Sequence, residues 1–280
     1  MLSIIISWRD RVELKQALPS FIATAALLDG EVNIVNYAGS DQLLQQLLID
    51  TDNPNMNKTR VKITKVDGQQ YFNKAAAQNS GASTANYQIL FFCDCDIILN
   101  PEQIAELCHQ VSRGEQVFAT LAGVKETEIN SRGASHVVSF GYELVIKTAD
   151  GRCLNIVDNE EDSENGTRQA PGLLMVKKQD FIDINGYNSQ LHGWGWEDQD
   201  MIARLTLGQG LQRINSGHAL HISHDDHARM AFYPQVASRW ESRDRMFRTA
   251  LANYDNANFL GSYDTDTSPT TSRGVQVDEC

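Results

Sequence analysis

The sequence predicts an α/β protein, a mostly parallel central sheet flanked by helices in a single domain. Short continuous apolar runs alternate with segments of helical periodicity through the first half of the chain, as strand–helix–strand units do. The length of 280 residues lies between one large domain and two small ones at ~150 residues per domain. Hydrophobic residues at 41% against 21% charged supply an ordinary core and exclude disorder, collagen and coiled coil as the main state.

The elements follow in order. Residues 2–6 (LSIII) are a buried strand, continuous, Ile-rich and ended by a polar cluster. Leu14, Leu18, Phe21, Ile22 and Ala25 then recur at helical spacing. Residues 32–35 make a second strand, and Leu43, Leu44, Leu47 and Leu48 a second helix. Residues 51–59 are polar around Pro54, a loop. A strand at 61–63 and a helix at 72–79 come next, then the strongest strand signal at 89–92 and a helix opened by Pro101-Glu102. From residue 124 the character changes. Residues 125–170 are polar, with 137–146 the best strand segment and 158–167 (DNEEDSENGT) a solvated, mobile loop. Helices at 178–184 and 198–207 follow. The expected division is one domain over 1–261, with halves 1–123 and 124–261, and a flexible Ser/Thr/Asp/Gly tail at 262–280.

With 24 Lys+Arg against 36 Asp+Glu, the formal net charge is −12. So acidic a surface repels nucleic-acid phosphate and anionic lipid, which excludes both as expected partners. An anionic ligand then needs a local basic pocket or a bound metal. The five cysteines, Cys93, Cys95, Cys108, Cys153 and Cys280, are odd in number and irregularly spaced, so no disulfide framework is expected. The N-terminus lacks the basic segment of a signal peptide, and no run approaches the ~18–20 apolar residues that span a bilayer. These features point to a reducing compartment.

Four segments carry chemistry. Asp94-Cys95-Asp96 directly follows the strand at 89–92, where ligands bind in open parallel sheets. Strand alternation points both aspartates the same way, onto one Mg²⁺ or Mn²⁺ bridging to a diphosphate; as an isolated string, D-x-D is ordinarily a pair of turn aspartates. Gly193-Trp194-Gly195-Trp196-Glu197-Asp198-Gln199-Asp200 leads into the apolar pattern Met201, Ile202, Leu205. The helix dipole accounts for acidic residues there but not for tryptophans between glycines, which suit a loop closing over a sugar with a carboxylate base beside it. His218, His221, His224 and His227 recur every three residues. His221 and His224 could join a carboxylate-held metal, whereas His218 and His227 read as surface histidines. At the other end, Ser7-Trp8-Arg9-Asp10-Arg11 closes the first strand, where the arginines could pair with diphosphate and Trp8 stack on a base.

Taken in their order along the chain, the segments resemble the GT-A-fold (Rossmann-like) glycosyltransferases, most closely the inverting β-galactosyltransferase and chondroitin-polymerase-like group. The resemblance also takes in Phe72-Asn73-Lys74, residues 172–181 and Asn185-Gly186-Tyr187, and covers about residues 2–250. It implies a metal-dependent inverting transfer of a hexose (Gal, GalNAc, Glc or GlcNAc) from a UDP-sugar to a hydroxyl acceptor such as a glycan. Trp8, Arg9, Arg11, Phe72, Lys74, Asp94 and Gly172 would then hold the donor nucleotide, and Asp96, His224 and His221 the Mn²⁺ (or Mg²⁺). Trp194, Gly195, Trp196 and Glu197 would bind sugar and acceptor, with Asp198 the catalytic base. The family usually has proline where Ser7 stands and a second glycine where Trp196 stands, and Gln169-Ala170-Pro171 does not reproduce its donor-selecting aromatic. The readings left beside this one are a retaining transferase or nucleotidyltransferase on the same D-x-D, and a non-catalytic sugar- or metal-binding module. Lacking the anchor of Golgi relatives, the chain is expected to be a cytoplasmic enzyme.

Overall fold

A computed structural model of the chain describes residues 1–49, 59–129, 141–159, 162, 164–268 and 277–279. The first part is a succession of parallel units: β1 (Leu2–Trp8), α1 (Leu14–Leu27), β2 (Glu31–Tyr37), α2 (Asp41–Ile49), β3 (Arg60–Val66), α3 (Lys74–Thr84) and β4 (Ile89–Asp94). After β5 (Ile97–Ile98) and α4 (Pro101–Arg113) come four longer strands, β6 (Val117–Glu126), β7 (Gly141–Lys147), β8 (Cys153–Asn159) and β9 (Thr167–Lys177). The chain closes with α5 (Lys178–Asp183), α6 (Glu197–Ala203), a π-helical turn (Arg204–Gly208), β10 (Gln212–Asn215), β11 (His218–His221), α7 (Asp226–Met230), α8 (Arg239–Asp255), α9 (Tyr263–Asp266) and β12 (Val277–Glu279).

The main sheet runs β12-β3-β2-β1-β4-β9-β6-β11-β5, with β10 also beside β6. From β3 to β4 it is parallel, as the strand–helix alternation requires. At β9 it turns mixed, because β9 runs antiparallel to both β4 and β6. β1 and β2 are buried at every residue, which is why they read as unbroken apolar runs. Residues of α1, α2 and α4 pack on one face with Leu2, Ile4, Ile6 and Trp8. Those of α3, α5, α6 and α8 pack on the other with Ile5, Phe92 and Leu174. The β7–β8 hairpin adds Leu144, Ile146, Leu154 and Ile156 to that second core.

Several helices differ instructively from their sequence patterns. The helix expected at 72–79 starts at Lys74, capped by the Asn73 side chain on the Ala76 amide at 3.1 Å, and runs on to Thr84. Its second half is small and polar yet buried: the Asn79 amide donates to the Tyr187 carbonyl at 2.9 Å, and Gly81 lets the helix touch Ile5 and Val35. Asn100 caps α4, its side chain accepting from Gln103 N at 3.0 Å. The helix expected at 198–207 is α6 followed by the π turn. The polar stretch after residue 124 conceals β8 and the start of β9.

The loop expected at 51–59 lies outside the described residues except for Thr59, as do 130–140 of the 125–170 stretch; β7 is what is seen of the 137–146 strand. Within 158–167, β8 ends at Asn159 and Asp162 closes a turn with Gly166 and Thr167, while residues 160, 161 and 163 lie outside the description. At the expected tail, Ser262 and Asp266 are tied to Ser189 and Asn79, and β12 pairs antiparallel with β3; residues 269–276 and 280 are not described. Among the described residues, no helix is long and apolar enough to cross a membrane.

Candidate active site

The strand order places the site. β2 and β3 lie on one side of β1 and β4 on the other, so the direction of winding reverses between β1 and β4, where open α/β sheets leave a crevice at the carboxyl ends of their strands. Ser7, Arg9 and Arg11 leave β1 there, and Asp94 and Asp96 leave β4. A cavity opens at this point. Its lining takes in Arg9, Arg11, Phe72, Lys74, Asp94, Asp96, Gly172, the Trp194–Asp198 block, His221 and His224.

Trp8 is the exception. Alternation along β1 turns it to the face of Leu2, Ile4 and Ile6, where it is fully buried. It cannot stack on a base; its indole N–H donates to the Arg11 carbonyl at 2.8 Å and fixes the Arg9–Arg11 turn. Arg9 does face the cavity, stacked 5.1 Å over the Phe232 ring, with Nε and Nη1 buried and lacking hydrogen-bond partners.

The two aspartates of D-x-D do not converge. β4 ends at Asp94, and Cys95-Asp96 form a turn, so the alternation that would have aligned them is broken. Asp94 meets Lys74 Nζ at 2.9 Å. Asp96 instead sits with the histidines, its Oδ2 3.2 Å from His224 Nε2, 3.7 Å from His221 Nε2 and 3.2 Å from Arg11 Nη2. One ligand atom from each of Asp96, His221 and His224 lies within 4.8 Å of the other two. These donors fit a divalent cation. Asp96 Oδ1 is buried without a hydrogen-bond partner. Both imidazoles turn Nε2 to the carboxylate, and His221 Nδ1 lies 2.6 Å from Glu126 Oε2, the outer partner that metal-bound imidazoles keep. Burial would raise the Asp96 carboxyl, but His221, His224 and Arg11 hold it well below the usual range.

Across the cavity, Lys74 gathers the remaining carboxylates: Nζ is 2.9 Å from Asp94, 2.9 Å from Asp198 and 3.7 Å from Glu197. Burial works against the ammonium, yet these carboxylates raise its pKa well above the ordinary value. Burial, next to Asp198, pushes Glu197 up to about 8. Asp198 is also raised by burial, with Lys74 opposing. Of the pair, Asp198 is the one hydrogen-bonded to the lysine. Asp198 Oδ1 remains buried with no hydrogen-bond partner. Gly172 on β9 makes room for this arrangement, since a Cβ there would lie 2.5 Å from Asp198 Oδ2.

Helix α8 supports the Gly–Trp loop: Ser242 Oγ accepts from Trp194 N at 2.8 Å, and Gly193 and Gly195 lie close against Ser242 and Arg243. Arg229 and Arg239 each lie 5.7 Å from the Trp194 ring centre. Trp196 has φ +73°, a left-handed conformation that favours glycine, and glycine is what the resembling family carries there. Its ring is 5% exposed and meets Phe247 edge to face, so it serves the core more than the cavity.

The sequence reading missed Glu126, Arg168, Tyr233, Arg239 and Arg243. The last two are four residues apart, one face of a helix, and that spacing could have found them. Glu126 carried no local signal beyond closing an apolar run. His218 and His227 are exposed, as expected of surface histidines.

Residues 158–225 match the family described as the N-terminal domain of galactosyltransferase; that span holds Gly172, the Gly–Trp block and both candidate histidines. Among solved structures the chain resembles GalNAc-T7 with UDP, GalNAc and Mn²⁺ (TM-score 0.59, 14% identity, 89% of this chain and 47% of that one). It also resembles S. aureus TarS 1–349, with TM-score 0.52, 14% identity, and 95% of this chain and 68% of that one covered. With UDP-GlcNAc bound, TarS gives TM-score 0.55 at 12% identity over 95% and 70%. The chain spans about half the length of the GalNAc-T7 structure it matches. The chain thus has the fold of these GT-A glycosyltransferases, and the family match falls across residues that line the cavity.

Proposed function

We propose that this protein is a metal-dependent, inverting glycosyltransferase that moves a hexose from a UDP-sugar to a hydroxyl group, on a glycan or a comparable acceptor. One observation carries the reading. A single cavity holds a three-residue cation site, Asp96, His221 and His224, and a carboxylate, Asp198, whose Oδ1 has no hydrogen-bond partner. The UDP, Mn²⁺ and UDP-GlcNAc present in structures of similar fold agree with a nucleotide-sugar donor.

Arg9, Phe72 and Lys74 lie where the donor nucleotide would sit, at the switch point. Asp96, His221 and His224 would hold Mn²⁺ or Mg²⁺, which supplies positive charge to the diphosphate as it leaves. Asp198 Oδ1 accepts the proton of the attacking hydroxyl, on the face of the sugar opposite the departing UDP. Lys74 keeps Asp198 ionised and aimed, and protonated Glu197 donates to the acceptor. Trp194 lies along the sugar and excludes water.

Replacing Asp198 by Asn is expected to leave UDP and Mn²⁺ binding intact and to lower transfer by roughly 10²–10⁴-fold, the usual worth of a general base. Asp96→Ala should instead abolish metal-dependent UDP binding. Calorimetric titration beside product assay separates the two. Equal loss of binding and turnover in Asp198→Asn, or a product that retains the donor's anomeric configuration, contradicts the assignment.

A further inference from the structure

Glu126 belongs to none of the motifs read from the sequence, yet it is the most completely engaged carboxylate near the cavity. It ends β6, and the parallel register sets it directly beside His221, the last residue of β11. Its side chain is 3% exposed. The two oxygens are divided: Oε1 accepts from Arg168 Nε at 2.7 Å, while Oε2 takes His221 Nδ1 at 2.6 Å and the Ser223 hydroxyl at 2.8 Å. Its own amide is fixed on the Gly166 carbonyl at 2.8 Å. Arg168 pairs with one oxygen, and the second is aligned on the imidazole.

We infer that Glu126 is a positioning residue for the cation site, holding His221 so that Nδ1 carries a proton and Nε2 presents its lone pair beside Asp96. An imidazole has two chemically similar nitrogens and a ring that can flip, so without a fixed acceptor either one could face Asp96. Arg168 and Ser223 in turn orient Glu126, which ties the metal ligand on β11 to β6 and β9. The inference rests on the metal reading given above.

The test uses the whole protein and Mn²⁺ alone, with no sugar donor. Glu126→Gln keeps the volume of the side chain and removes its charge. It should weaken Mn²⁺ binding roughly 10–100-fold, the usual effect of losing such an outer partner, as read from free Mn²⁺ by electron paramagnetic resonance. In the metal-free wild type, the His221 Nδ1 proton should resonate downfield of the amides, and in Glu126→Gln it should move upfield or vanish. A merely structural carboxylate would not shift that proton. Ser223→Ala, which takes one donor from Oε2, should show the same two changes in smaller measure and carries the test should Glu126→Gln fail to fold. A folded Glu126→Gln that binds Mn²⁺ as tightly as the wild type overturns the inference and leaves the metal site standing. A wild type that takes up no Mn²⁺ overturns the metal reading, and the inference with it.

Discussion

Lys74 opposes the burial that raises the Glu197 and Asp198 carboxyls. Its Nζ lies 2.9 Å from both Asp94 and Asp198 and within ion-pair reach of Glu197. With Asp198 as the proposed base, kcat/KM should fall as pH drops through its raised pKa. Lys74→Met removes the charge that opposes this rise. The acid limb of the kcat/KM profile should then move to higher pH, and an unmoved limb would mean that Lys74 does not govern the base. Residue positions were readable in the sequence where a side chain's direction did not matter. Trp8 is the counterexample: it stands at the carboxyl end of β1 as expected, but the two-residue period sends it into the core. Trp196 shows the reverse, since a departure from the family pattern marked a left-handed residue whose strain, about 1–3 kcal/mol for such positions, is held by packing on Phe247.

Among the elements, β1, β2, β3 and β4 were legible because strands buried on both faces are continuous apolar words flanked by helical periods. β8, the start of β9 and α8 were not. β8 and β9 mix polar and apolar residues because the hairpin and the cavity each leave one face wet, and α8 hides its few buried residues among arginines and acids. The helix predicted at 198–207 was found, but not its π turn, which depends on a buried network no period announces. Arg204, 1% exposed, donates from Nε to Asp200 Oδ2 at 2.7 Å and from its Nη1 to the Gly186 carbonyl, while the Tyr254 hydroxyl donates to Asp200 Oδ1 at 2.7 Å. Removing one partner strands the other's charge in the core. Arg204→Ala should therefore cost about 3–5 kcal/mol, measurable as a lowered denaturant midpoint, whereas a loss within the scatter of surface substitutions would show that the network is not holding α6 in place.

At the scale of the molecule, the strand order that makes the switch point comes from the structure, while the parallel character of the first half was deducible from its alternation. The second half was not, because its antiparallel strands are joined by long polar connections whose pairing no local pattern dictates. The D-x-D was located correctly and its geometry was not: the chain leaves β4 between the aspartates and gives one to Lys74, the other to the histidines. A molecule of net charge −12 that binds a diphosphate needs the cation as well as Arg9 and Arg11, so nucleotide and metal should bind interdependently. The most direct measurement is thermal unfolding of the wild type with UDP alone, with Mn²⁺ alone and with both, each repeated in EDTA. A stabilisation of about 2.7 kcal/mol at ~100 times the dissociation constant, appearing only with both and abolished by EDTA, is the predicted result. An equal shift with UDP in EDTA, or none in any mixture, would contradict a metal-dependent UDP-sugar transferase.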